Sequence, residues 1–83
     1  MDEIARILYK HCDDHRFSIT PVHANLKPPE GFKLPASYHI QAQTVTPHGK
    51  SEILRLLREN HDVVGHYYDE RNCVLVATVE EKQ

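Results

Sequence analysis

Ile4, Ile7, Leu8, His11 and Cys12 recur at helical spacing, and Asp2 and Glu3 occupy the first turn, where the helix dipole favours acid. The spacing predicts a helix over residues 2–13. Residues 17–23 alternate in character and predict a first strand, with Pro21 suited to an edge or a bulge because it has no N–H to give a ladder. The clearest half-buried strand spans 38–45, with Tyr38, Ile40 and Ala42 on one face and His39, Gln41 and Gln43 on the other. Thr46-Pro47 then opens a second helix, since threonine caps and proline fits the first helical position. Gly49 weakens that first turn, so regular helix is expected nearer Ser51, with Ile53, Leu54, Leu56 and Leu57 on its apolar face. Two β-rich runs, 63–68 and 73–79, are joined by Asp69-Glu70-Arg71-Asn72, a hairpin signal, and residues 80–83 are expected to fray.

The resulting order, α-β-β-α-β-β, predicts an α+β, two-layer sandwich: a four-stranded antiparallel sheet with two helices on one face. The order follows from the βαββαβ ferredoxin-like arrangement by moving the first strand to the end, which makes it a permuted ferredoxin-like topology. The uncovered face is then expected to present some of His39, Gln41, Gln43, His66 and Tyr68. Residues 1–83 are read as one small globular domain.

Composition narrows the function more than it names it. A net charge of −2, from 10 Lys and Arg against 12 Asp and Glu, does not suit a general nucleic-acid binder, which gains affinity by neutralising phosphates. Seven histidines make the chain histidine-rich, and protonating all of them would carry the charge from −2 to +5. No run approaches a membrane span, and Met1-Asp2-Glu3-Ile4 lacks the basic start of a signal peptide. Cys12 and Cys73 form no CxxC pair, so two free thiols and a cytoplasmic setting are expected.

Three clusters bear on chemistry. His11-Cys12-Asp13-Asp14-His15 is the densest group of ligand-type side chains, and His11, Cys12 and His15 are the residues that would meet a metal such as zinc. No second short-spaced ligand pair accompanies them, however, and helical spacing turns Cys12 toward the core. The five residues therefore read first as the end of helix 1, and no cofactor is expected. Residues 44–51 end in Gly-Lys-Ser like a phosphate-binding loop, but Thr44 replaces its first glycine and Pro47 removes a backbone donor. The segment 25–36 sets Leu26, Phe32 and Leu34 among prolines, with Lys27 and Lys33 between them. Proline lowers the entropy lost when such a loop is fixed, which favours recognition.

The sequence thus predicts a non-enzymatic protein–protein interaction module, an inhibitor or adaptor of a larger protein, contacting it through Leu26, Lys27, Phe32, Lys33 and Leu34. A homodimer is compatible with the small size. The alternative is a nucleic-acid-binding regulator in which Lys50, Arg55 and Arg58 contact phosphates and Tyr67 or Tyr68 stacks on bases.

Overall fold

The computed structural model describes residues 2–12, 16–22, 29–31 and 36–82. Its elements follow the expected order: α1 (Asp2–His11), β1 (Phe17–Pro21), β2 (Ser37–Ala42), α2 (Pro47–Asn60), β3 (His61–Asp69) and β4 (Val74–Glu81). The strands form one sheet in the order β1-β2-β4-β3, and every neighbouring pair is antiparallel.

Alternation along the central strands decides where the core lies. Ile40 and Ala42 of β2 and Leu75, Ala77 and Val79 of β4 are buried, and their in-between neighbours are not. Ile4, Leu8 and Cys12 from the first helical stripe and Ile53 and Leu57 from α2 join that same cluster, so both helices cover this side of the sheet. Each such aliphatic side chain contributes about 1.5–3 kcal/mol by leaving water. The helices run antiparallel. Asn60 at the end of α2 donates to the Glu3 carboxylate at the start of α1, and the first turn of α2 lies against the carbonyl of His11.

That last contact corrects the expected start of α2. Regular helix begins at Pro47, with Thr46 Oγ1 accepting the Gly49 N–H at 3.0 Å as the cap. Gly49 is buried, and a Cβ there would lie 3.2 Å from His11 O and 3.2 Å from Thr46 Oγ1. Glycine is at this position so that two backbones can approach, and its low helix propensity is outweighed by the cap and by packing. The other end of α2 passes directly into β3, with the His61 N–H closing the last turn on Leu57 O.

Other boundaries move for identifiable reasons. α1 stops at His11, though Cys12 N still donates to Leu8 O at 2.8 Å. Cys12 is buried, as its spacing predicted, and its thiol donates to Gln43 O at 2.7 Å. β2 ends at Ala42, and Thr44 then takes φ 57°, a conformation that turns the chain out of the sheet. β4 runs on to Glu81, past the expected fraying point, because Glu80 pairs with Ser37 and Asp62, and Glu81 with His61.

The β3–β4 turn is built by Asp69. Its carboxylate accepts the N–H groups of Arg71 (3.0 Å) and Asn72 (3.3 Å) and the Asn72 side-chain amide (2.8 Å). These bonds, Asn72's foremost, hold the carboxyl below its ordinary pKa. Cys73 closes the turn at φ 55°, the left-handed region that costs a residue with a Cβ about 1–2 kcal/mol. Cys73→Gly is therefore expected to stabilise the fold by about 0.5–1 kcal/mol after the entropy cost of glycine, and Cys73→Val to destabilise it. Urea midpoints of the two variants check the sign.

Candidate functional site

The side of the sheet away from the helices is uncovered among the described residues. In register across the strands it presents the row Ser18–Gln41–Val76–Tyr67 and beside it the row Thr20–His39–Thr78–Gly65. Ser18, Gln41 and Tyr67 are exposed and Val76 is half-buried. Tyr67 is 67% exposed, the highest value among the large hydrophobic residues that are described, and Val64 at 56% lies three residues before it on the same edge strand. His39 Nδ1 lies 3.4 Å from Thr78 Oγ1, which ties the middle of the second row together.

His39 and Gln41 stand where the alternation predicted. His66 and Tyr68 do not. The register of β3 against β4 shifts between Val63 and Gly65, so one extra residue is accommodated in β3. Beyond the bulge every side chain changes face: His66 opposes Ala77 and Tyr68 opposes Leu75, both on the helix side, and Tyr67 opposes Val76 on the open side. The two tyrosines point to opposite faces, and the bulge decides that Tyr67 is the outward one. Gly65 ends the second row with no side chain, and a Cβ there would meet nothing within 4 Å.

Tyr68 belongs to the inner side. Its hydroxyl donates to Val45 O, and Lys50 Nζ lies 5.7 Å from its ring centroid. Burial of the ring, then the nearby Cys73, raises the pKa of the phenol. Lys50 is thus engaged over an aromatic ring at the start of α2. Arg55 is held by Glu52 at 2.8 Å and Glu59 at 3.4 Å, and Arg58 is exposed farther along the same helix. The hydrogen bond from Arg55 keeps the Glu52 carboxyl below its ordinary pKa. Lys50, Arg55 and Arg58 ride on the helix covering one side of the sheet, whereas Tyr67 projects from the other. The fold therefore does not gather the basic residues and the exposed tyrosine into one surface.

At the β1–β2 end of the open face, Arg16, Phe17, Ser18, Gln41 and Gln43 line a shallow cleft of about 380 Å³. Gln43 N donates to Arg16 O at 2.8 Å, which fixes the two chain segments flanking it. Sequence reasoning did not single out Arg16. Its signal would have been that a basic residue immediately precedes an edge strand whose outward positions, Ser18 and Thr20, are small and polar.

Leu26, Lys27, Phe32, Lys33 and Leu34 lie outside the described residues, as does His15. The flanks of the proline segment are described: Val22 N donates to Ser37 O at 2.9 Å, and Glu81 N donates to Ala36 O at 2.7 Å. The segment thus leaves and re-enters at the end of the sheet opposite the Arg16 cleft. Of the metal-type residues, Cys12 is spent on a backbone hydrogen bond, and His11 Nε2 is buried without a partner among the described residues. No group of three or more potential metal-ligating His, Cys, Asp or Glu forms among those residues. Both cysteines are free, Cys12 buried and Cys73 half-buried. No helix among the described residues is long and apolar enough to cross a membrane.

Compared with protein-family models, curated proteins and solved structures, the chain matches none.

Proposed function

We propose that this chain is a non-enzymatic protein–protein interaction module that holds a larger protein against the uncovered face of its sheet. The observation that carries this reading is the outward Tyr67, with Val76 beside it in register and Val64 nearby on the edge. Tyrosine supplies large contact area at low entropic cost and is favoured at the centres of interfaces. Leu26, Lys27, Phe32, Lys33 and Leu34 of the proline segment are proposed as further contacts with the same partner. As an inhibitor or adaptor it would act by occluding or bridging a surface of that partner. Two free thiols fit a reducing, cytoplasmic setting. We read the topology itself as ferredoxin-like with the first strand moved to the end, because β1-β2-β4-β3 is the strand order that this permutation produces. The nucleic-acid alternative draws less support, since Arg55 is paired with two carboxylates and the α2 bases face away from Tyr67.

A photo-crosslinking amino acid at position 67, compared with one at position 55 on the exposed side of α2, tests the reading in cells that make the protein. The expected result is a crosslinked product of defined mass from position 67 alone, lost when Val76→Arg is added while the circular dichroism spectrum is unchanged. Equal labelling from both positions, or none from 67, would sink the proposal.

A further inference from the structure

We infer that the uncovered face takes an extended acidic peptide segment laid crosswise over the strands, with a carboxylate at Arg16 and an apolar side chain against Val76 and Tyr67. This rests on the interaction reading above and gives the partner a chemistry and a direction. The cleft lined by Arg16, Phe17, Ser18, Gln41 and Gln43 holds one guanidinium, three neutral hydrogen-bonding side chains and, among the described residues, no carboxylate. A guanidinium fork with neutral donors beside it is a carboxylate-binding set, and the planar pair gives geometry as well as charge.

From this cleft the row Ser18–Gln41–Val76–Tyr67 crosses all four strands. It passes from polar to apolar as it goes. Three strand spacings of about 4.8 Å make the crossing roughly 14 Å. An extended chain advances about 3.3–3.6 Å per residue, so four residues cover it. The acid and the apolar residue of the ligand should therefore stand about four positions apart.

Charge sets the direction. The far half of the open face carries Asp62 and Glu80, paired in register, and Asp69 at the hairpin. An acidic end is repelled there and drawn to Arg16. Gly65 leaves the strand bare beside Tyr67, which gives the ligand's apolar side chain room to lie against the ring.

The test is a titration of the full chain, ¹⁵N-labelled, with a capped pentapeptide bearing glutamate at one end, leucine at the other and serines between. The peptide is made in both chain directions, and each has a counterpart with glutamine for glutamate. The inference expects shifts concentrated at Arg16, Ser18, Gln41, Gln43, Val76 and Tyr67. It also expects at least tenfold weaker binding of the glutamine peptide, with Arg16→Gln abolishing that preference and Arg16→Lys keeping part of it. Arg16 is exposed, so these variants are expected to retain the spectrum of the folded chain. Equal binding of the glutamate and glutamine peptides, no saturable binding of either, or shifts confined to α2 would overturn it. If crosslinking from position 67 still yields its defined product, only the acidic-peptide inference has failed. Should position 67 yield nothing, the broader reading fails with it.

Discussion

Leu57→Ala is expected to lower the free energy of unfolding by about 2–5 kcal/mol. Leu57 is fully buried on the inner side of α2, in the cluster that joins both helices to β2 and β4. Truncation removes the transfer free energy of three carbons and leaves a cavity that neighbours from four elements must collapse to fill. A chain of this length has a total stability of roughly 4–12 kcal/mol, so the loss is a large share of it. Each kcal/mol shifts the melting temperature of such a domain by about 4–8 °C. Urea unfolding measures the effect, with an unchanged slope expected if the denatured state is unaffected. Arg58→Ala, exposed on the same helix, serves as the control and should stay within about 0.5 kcal/mol of the parent. A Leu57→Ala variant that unfolds at the parental midpoint would mean that the helices do not share one core with the sheet.

Gly49→Val is expected to be destabilising by about 1–3 kcal/mol, although on an isolated helix it would be favourable or neutral. The added Cβ alone would sit 3.2 Å from the His11 carbonyl, a backbone atom that moves only if the end of α1 moves. The two γ-methyls of valine must then displace Thr46 Oγ1 or press on Val45, which a Cβ at this site already approaches to 3.6 Å. Gly49→Ala separates the two effects: its helix-propensity gain of about 1 kcal/mol opposes the tight contact, so it should fall well above the valine variant. Amide hydrogen exchange gives the location. Protection should fall in the last turn of α1 and the first turn of α2, and β3 should be spared. A stabilised valine variant would show that the helix ends are not in contact.

Much of this arrangement is legible in the residues because local rules and tertiary packing agree. Thr46-Pro47 reads as a capped helix start, and the cap forms as written. Ile40 and Ala42 read as inward, and they are buried in β2 because nothing interrupts its alternation. The misread positions are those where a single residue answers to a distant partner. Gly49 looks like a flaw in a helix until the His11 carbonyl is in place beside it. His66 and Tyr68 look outward until a bulge near Val64, whose one signature in the residues is Gly65 inside the strand, advances the rest of β3 by one. That one-residue advance exchanged the roles of the two tyrosines, and it is why the candidate surface reads from Tyr67 and not from Tyr68. Arg16 escaped notice because its role depends on Gln41 and Gln43, which are far along the chain and come beside it only when β2 pairs with β1.

The strand order has a consequence for how the protein comes into being. β4 is the last of the six described elements to leave the ribosome, yet it lies between β2 and β3 and is the partner to which each is joined. Until it emerges, β3 has no neighbour to pair with, and the inward faces of both helices have only half a sheet to cover. The nascent chain must therefore wait, with Ile53, Leu57 and the β2 hydrophobics still unsheltered, and close in one late step. Losing Val74–Glu81 alone would cost the sheet its centre and not its edge.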